Sequence, residues 1–482
     1  MYENKTKIIA TISDLKCDIQ LIKDLYDNGM NVARLNTAHQ SLQGTLKVIE
    51  NIRKVSDKIG ILIDTKGPEV RTAGIEDKIS VSKGDILTVA NLNSSNGNFQ
   101  VNYDSFTEDV PVNSTILIDD GLVKFTVIGK TEKGLEIKAE NSGFVGNRKT
   151  VNTPDVKLKL QAVSAKDIEY INFAAENNLD FIAHSFVRSR EDILKVQEIL
   201  DSRGSSIKII AKIENKEGID NLEEILDTAY GIMIARGDLG IEIPAEQVPG
   251  LQKMIIDRCI KKAKPVITAT QMLHTMIDNP RPTRAEVSDV AAAIYDGTDA
   301  VMLSGETAYG KYPVEAIKTM TNIIKTIEKE TPPFRELPVF DSEKRIRNYL
   351  IKSAVEATSE LDVKAIIVDT ASGLSARLIS SYRCKKVIFA KIHDRAAVRQ
   401  LTLSYGVHCS YMEMPLTTGK LIKGAVGSLV DQNLISPEDN IILLASTPGN
   451  PAVGANILEI NKARLCLEGR EGRNLPGGSF TV

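Results

Sequence analysis

Lys212 and Glu214, in the string KIEN, stand two residues apart, so along an extended strand their side chains share one face. Asp238 follows another short apolar run in ARGDLG, where Gly237 permits close backbone approach. The two carboxylates end consecutive apolar runs and have no histidine near them in sequence, which suits a hard divalent cation, Mg²⁺ or Mn²⁺. A lysine beside such carboxylates is a counter-charge for a phosphoryl group in transfer. Free N–H groups where ARGDLG turns into a helix could hold a carboxylate or a phosphate. Each string also has a plainer explanation: KIEN as a structural ion pair, and Glu214 and Asp238 as surface acids.

The same polarity recurs at the ends of other apolar runs: Arg34 and Asn36, Asp64-Thr65-Lys66, Ser185, Arg236, Thr270, then Ser304 and Glu306. Strand ends meet water and carry polar residues anyway. The concentration of matched acids, bases and hydroxyls exceeds what solvation alone asks for.

The elements that must position these groups are eight apolar runs: KIIATI, NVARLN, GILIDT, FIAHSF, IKIIAKIEN, GIMIARGDLG, PVITATQML and DAVMLSGET. Near-continuous apolar runs of this length fit strands buried on both faces of a parallel sheet. Helical stretches separate them. Leu251, Met254, Ile255 and Cys259 fall on one helical face, and Ser164 opens another helix with a capping residue. Eight alternations predict an α/β fold, a (β/α)₈ TIM barrel with catalytic groups at the C-terminal strand ends. An open doubly wound sheet is the alternative. Residues 68–156 have a different texture, short Val/Ile runs cut by Gly, Asn and Asp, and read as an inserted β-rich lid domain. The barrel then spans 1–67 and 157–335. The Pro-rich, charged stretch TPPFRELPVFDSEK marks a linker, and 336–482 reads as a C-terminal α/β domain with the runs KAIIVD, KVIFAKI, VHCSYM and NIILLAS. In that domain Thr370, Ser372, Gly373 and Ser375 form a hydroxyl-rich turn between a strand and a helix. The turn suits a phosphorylated effector, or is simply a Ser-capped helix start.

Composition narrows the partners. With 482 residues, a formal net charge of -3 and no Trp, nothing points to nucleic acid or to a membrane surface. Five scattered cysteines without a C-x-x-C pair argue against a disulfide framework or a cysteine zinc site. The opening MYENKTKIIATIS has no apolar signal core, so a cytoplasmic location is expected. His184, His274, His393 and His408 read as structural.

The strings MNVARLN, DTKGPEVRT, KIENKEGI, IMIARGDLGIEIPAE, KPVITATQML, RPTRAEVSDVA and DAVMLSGETAYGKYP resemble those of pyruvate kinases, in the family's order. The resemblance implies transfer of the phosphoryl group of phosphoenolpyruvate to ADP, giving pyruvate and ATP in glycolysis. It implies that Arg34 and Lys212 bind the phosphoryl group, and that Glu214 and Asp238 hold Mg²⁺. Asn36, Asp64 and Thr65 would hold K⁺. Gly237, Asp238 and Thr270 would hold the substrate carboxylate, with Ser185 nearby in the substrate site. Thr270, Ser304 and Glu306 would carry the proton that converts enolate to pyruvate. His39, Arg71 and Lys149 match nucleotide-side positions, and Asp120 matches a lid residue that pairs with Arg71 on closure. The family's assembly is a homotetramer.

The chain departs from the family's pattern at three places. SDLK (Ser13 to Lys16) replaces the usual GPAS, a change that touches nucleotide contacts. Ala38 replaces a serine that would supply a K⁺ ligand. Leu374 stands where Arg is common, which points to a monophosphate sugar or nucleotide over a bisphosphate as effector. Glu69 stands where members that dispense with K⁺ carry Lys. A K⁺ requirement is therefore expected, since without the ion Asp64 and Glu69 would lack a countercharge; the alternative is that Glu69 merely pairs with a neighbouring base such as Arg71. Two other functions fit the barrel: a metal-dependent aldolase or lyase acting through pyruvate enolate, and a non-catalytic regulator.

Overall fold

The computed structural model describes residues 4–38, 40–92, 97–330, 345–415, 417–446 and 455–468. The chain divides into two compact units: Ile8–Cys259 with Val266–Ile323, and a second that takes in the chain from Ile324 onward together with Ile260–Pro265 and the N-terminal residues.

All eight apolar runs become strands of one closed parallel barrel. They are β1 (Lys7–Thr11), β2 (Met30–Asn36), β3 (Gly60–Asp64), β4 (Phe181–His184), β5 (Lys208–Ile213), β6 (Gly231–Ala235), β7 (Val266–Ala269) and β8 (Ala300–Leu303). Each pairs with its neighbours in chain order, and β1 closes the ring against β8. Ile, Val, Leu and Ala side chains of these strands are buried almost without exception, which is why the runs lack the alternation of a half-exposed sheet. Register sets the functional ends side by side: Asn36 stands opposite Asp64, Ala183 opposite Asp64, and Lys212 opposite Met233. The helix opened by Ser164 runs Ala165–Glu176 and carries a full capping box with Asp167. Asp167 also accepts from the Lys66 amide at 2.9 Å, so this helix start anchors the loop that leaves β3.

Between β3 and β4 the chain builds the β-rich insertion, a seven-stranded sheet with a two-stranded companion. Strand Val123–Thr131 shows the alternation expected of such a sheet, with Val123, Phe125 and Val127 buried and Lys124 and Ile128 outward. Those three pack with Phe99, Phe106, Ile116, Leu135 and Ile137 into a core of the lid's own. The lid pairing is antiparallel except between Ile86–Asn91 and Phe99–Val101, which run parallel.

In the second unit, β9 (Ala365–Thr370), β10 (Val387–Ile392), β11 (Val407–Tyr411) and β12 (Asn440–Ala445) form a parallel sheet in the order β11-β10-β9-β12. A fifth strand, β13 (Ile457–Lys462), pairs antiparallel with β12. Sequence reasoning missed it because its mixed composition, ILEINK, carries no buried apolar run. The linker 331–344 and the Gly-rich tail lie outside the described residues. Among the described residues no helix is long and apolar enough to cross a membrane.

Candidate active site

Asp64 ends β3 and is 1% exposed. A carboxylate so placed must be paired to stay ionised. Its two oxygens are divided between two cations, Arg34 from the adjacent strand β2 and Lys212 from β5, one strand beyond β4. Arg34 Nε donates to Oδ2 at 2.7 Å, and Lys212 Nζ donates to Oδ1 at 3.0 Å. Burial alone would push the Asp64 carboxyl up, but Lys212 and Arg34 overcome it and hold it below the usual range. Thr11, at the end of β1, accepts from Arg34 Nη1 at 3.0 Å and fixes the guanidinium from the far side. Sequence reasoning overlooked Thr11; a hydroxyl closing the apolar run KIIAT was the available signal.

Lys212 has two further partners, Ser185 Oγ at 2.7 Å and Glu214 Oε1 at 3.0 Å. Burial works against its charge, yet Asp64 and Glu214 raise its pKa above the ordinary lysine value. Glu214 Oε2 accepts from the Phe186 amide at 2.6 Å. Burial raises the Glu214 carboxyl to about 7, with Asp238 and Asp64 adding and Lys212 opposing. Asp238, in the first turn of the helix Arg236–Glu242, is also raised by burial. Asp120 and Glu69 from the lid side add to the shift. The two candidate metal carboxylates thus sit in a local excess of negative charge, which a divalent cation would relieve. Among the described residues no group of three or more His, Cys, Asp or Glu is arranged to hold a metal by itself. A two-carboxylate site fits Mg²⁺, which ordinarily completes its shell with water and substrate oxygens.

Thr270 follows β7 with φ of 66°, an uncommon conformation for a β-branched residue. Its hydroxyl accepts from the Gly237 amide at 2.8 Å and donates to the Ala269 carbonyl at 2.7 Å. Thr270 Oγ1 therefore occupies the Gly237 amide, which the sequence resemblance assigns to a substrate carboxylate. Arg236, which the sequence offered only as one polar strand end, is buried and ties this corner together. It donates to the Thr270 carbonyl at 2.8 Å and pairs with Asp289 at 2.6 Å. Asp289, inside RPTRAEVSDVA, was not singled out from sequence. Glu306 is 2% exposed and accepts from the amides of Leu273 at 3.2 Å and Ser304 at 2.7 Å, bracing the ends of β7 and β8.

Of the candidate K⁺ ligands, Asn36 and Asp64 are register partners and Thr65 is next in chain. Asn36 Oδ1 accepts from the Ala38 amide at 3.1 Å, and Thr65 Oγ1 from the Ser185 amide at 3.1 Å. Each oxygen keeps a second lone pair, so the set fits a weakly held monovalent cation. The expected countercharge deficit is not there. Asp64 has Arg34 and Lys212, and Glu69 pairs with Arg71 at 2.8 Å.

The lid residues have partners of their own. Arg71 lies on Glu69 and on the Arg148 carbonyl, not on Asp120. Asp120 instead accepts from Thr150 Oγ1 at 2.8 Å, and Lys149 pairs with Asp119 at 2.9 Å. The local reason is the turn Asp119-Asp120-Gly121, left-handed at all three residues, which folds back onto Lys149 and Thr150. His39 lies outside the described residues. A cleft of about 250 Å³ opens between lid and barrel and reaches Glu69, Asp120 and Asp238.

In the second unit, Thr370 Oγ1 accepts from the Gly373 amide at 3.1 Å, and Gly373 takes φ of 77° to open the helix Leu374–Ser381. Thr370 and Ser375 are buried, and Asp369 beside them is bonded to His393 Nε2 at 2.8 Å.

Asp64→Asn should cost ~3–5 kcal/mol at neutral pH, because Arg34 and Lys212 would be left sharing a neutral partner in a buried site. The folded-state pKa of Asp64 is depressed, so its contribution is present above the unfolded carboxylate pKa. It is lost as pH falls through the lower folded value. The gap between parent and variant in thermal unfolding should narrow from pH 7 to pH 3. A gap constant with pH would mean that the ion pairs are not its source.

Comparison with known proteins agrees with this geometry. Residues 3–317 match the family model described as pyruvate kinase, barrel domain, and residues 348–461 match pyruvate kinase, alpha/beta domain. The chain is 51% identical over 480 residues to a pyruvate kinase of Borreliella burgdorferi, covering 98% of this chain and 100% of that one. It is 43% identical over 470 residues to a pyruvate kinase of Staphylococcus epidermidis, covering 95% of this chain and 80% of the relative. A crystal structure of a pyruvate kinase from Cryptosporidium parvum superposes with a TM-score of 0.87 at 35% identity, covering 96% of each chain. The chain belongs to the pyruvate kinase family.

Proposed function

We propose that this chain, a phosphotransferase that moves the phosphoryl group of phosphoenolpyruvate onto ADP, does so with Lys212 and Arg34 as the cations that receive the group. The observation that carries this reading is the pair of cations on Asp64, both 11% exposed and both braced by hydroxyls, Thr11 for Arg34 and Ser185 for Lys212. In the transfer the bond from phosphorus to the enol oxygen breaks, and a bond to a terminal oxygen of ADP forms. The charge on the moving group must be met by groups already in place, and little covalent work is asked of the protein. The remaining enolate takes a proton at its methylene carbon to become pyruvate. Thr270, Ser304 and Glu306, at the ends of β7 and β8, are the candidates to deliver it.

Glu214 and Asp238 would hold the divalent cation, Mg²⁺ or Mn²⁺, which supplies charge neutralisation on substrate and phosphoryl oxygens when bound. Lys149, Arg71 and His39 would face the nucleotide, and the lid would exclude water that could otherwise take the phosphoryl group. A homotetramer and a cytoplasmic location are the assembly and place this reading carries from the family. Family membership displaces the aldolase and non-catalytic readings.

The direct test is turnover of phosphoenolpyruvate with ADP. Lys212→Met should lower it by ~10²–10³-fold while leaving Mg²⁺ binding in place. Glu214→Gln and Asp238→Asn should each weaken Mg²⁺ binding in a calorimetric titration, since each removes an anionic oxygen from a hard cation. Titrations that overlay the parent's would put the metal elsewhere.

K⁺ binding through Asn36, Asp64 and Thr65 belongs to the same proposal. With both acids already countercharged, the ion would act through position and coordination. Activity should rise with K⁺ in a tetramethylammonium background at constant ionic strength, and Ala38→Ser should lower the K⁺ needed for half activation. Full activity without K⁺ would remove the site from the mechanism.

The turn Thr370-Ala371-Ser372-Gly373-Leu374-Ser375 would take a phosphorylated effector, a monophosphate in preference to a bisphosphate. Its support is the strand-to-helix turn with Gly373 in the left-handed region and Ser372 exposed. A panel of phosphorylated sugars and nucleotides should contain one that raises the melting temperature, and that shift should vanish in Ser372→Asp. A panel that moves neither melting temperature nor activity would refute this part.

A further inference from the structure

Lid and barrel meet along the helix Arg236–Glu242, and the last residue of that helix has no part in the assignments above. Glu242 is half-buried, and its Oε1 accepts a 3.0 Å hydrogen bond from Asn152 Nδ2. Burial pushes its carboxyl above the usual range, with Asn152 opposing and Asp155 adding. Asn152 closes the short lid strand Val151–Asn152, which pairs with Thr115–Ile118 and lies three residues beyond Lys149. One residue back along the helix, Ile241 lies beneath the turn that folds onto Lys149. A Cβ placed on Gly121 would stand 3.9 Å from Ile241 Cγ2. At the start of the helix, Asp238 feels the charge of Asp120 from the same turn.

This helix end is also the wall between two clefts of about 250 and 760 Å³, both lined by Asp155, Val156, Lys157, Ile241 and Glu242. Other ties hold the returning segment less firmly or farther from Lys149. Lys157–Glu217 and Lys216–Asp155 are ion pairs whose lysines are 76% and 54% exposed, the kind worth ~0–1 kcal/mol. Arg188 holds the Leu158 and Leu160 carbonyls at 3.2 and 3.0 Å, some ten residues beyond Lys149. Among the described residues, Asn152–Glu242 is the shielded side-chain tie closest in sequence to the nucleotide lysine.

We propose that Glu242 is a positioning residue: through Asn152 it seats the lid on the helix that bears Asp238, and so sets the reach of Lys149 toward the nucleotide. The inference rests on the assignment of Lys149 to the nucleotide and Asp238 to the divalent ion. Its consequence is selective. Losing the tie loosens nucleotide binding, whereas groups held within the barrel, including the phosphoenolpyruvate side of the site, are unaffected.

The test compares Glu242→Ala, Asn152→Ala and Glu242→Gln in the full chain. Both alanine variants should raise the KM for ADP and its calorimetric Kd by about three- to tenfold, the range set by one net hydrogen bond. KM for phosphoenolpyruvate, kcat and Mn²⁺ affinity should stay within about twofold, below the effect of that bond. Glu242→Gln retains an acceptor oxygen and should match the parent, which a residue needed merely for its charge would not do. Amide hydrogen exchange across Lys149–Asn152, without substrates, should speed up in the alanine variants alone. ADP affinity unchanged in both alanine variants, a fall in kcat with KM untouched, or failure of Glu242→Gln to match the parent would each overturn the proposal. Faster exchange with unchanged ADP affinity would overturn it as well, since the tie would then not reach the nucleotide. A parent that binds ADP without turning over phosphoenolpyruvate would sink the catalytic reading instead, because affinity and exchange would still decide the role of Glu242.

Discussion

A carboxylate taken out of water costs several kcal/mol unless cations and hydrogen bonds replace its hydration. Asp64 meets that demand with one oxygen on Arg34 and the other on Lys212, so three barrel strands are bound through a single side chain. Much of the site follows from this pairing. Lys212 stays charged in a buried place because Asp64 and Glu214 flank it, and Glu214 is in turn held by the Phe186 amide. Ser185 links Lys212 to the Thr65 carbonyl, which binds the β3 loop to the β4 loop. The cations are therefore fixed before any substrate arrives, which is the condition under which fixed charge is effective in phosphoryl transfer.

The opposite side of the site has surplus negative charge. Asp238 lies near Asp120 and Glu69, with Lys212 as the opposing charge. A divalent cation held by Glu214 and Asp238, as proposed, would offset that imbalance. The lid contributes to both sides. It brings Asp120 toward the acidic face, and it carries Lys149, here held by Asp119. The lid has its own core of Phe99, Phe106 and Phe125 with their aliphatic neighbours, separate from the packing of the barrel strands. Side-chain ties join it to the barrel at Glu242, Glu217, Lys216 and Arg188.

The second unit shows the same economy of polar groups in a different setting. Asp369 is buried at the end of β9, and His393 answers it from the residue after β10, while the other ring nitrogen of His393 meets the Met412 carbonyl. That arrangement stiffens the base of the Thr370–Ser375 turn. Gly373 is confined there by its left-handed φ and by Leu401, which a Cβ would strike at 2.5 Å.

The barrel was legible in the sequence because strands buried on both faces must be apolar throughout, and eight such runs with polar ends admit few other arrangements. The change of texture after Gly67 marked the lid for the complementary reason: a small sheet with one exposed face must alternate. The strand Ile457–Lys462 escaped notice because an edge strand needs no such pattern. Most of the chemical groups, from Arg34 to Glu306, could also be named, since residue type and strand-end position are properties of the chain. Which charge faces which was a different matter. Asp64 serving two cations, Lys149 with Asp119, and Glu242 with Asn152 join residues up to 148 positions apart. Their partners are chosen by barrel register, by a left-handed turn and by burial. Pairing energy depends on distance and local dielectric, and both exist only once the chain is folded.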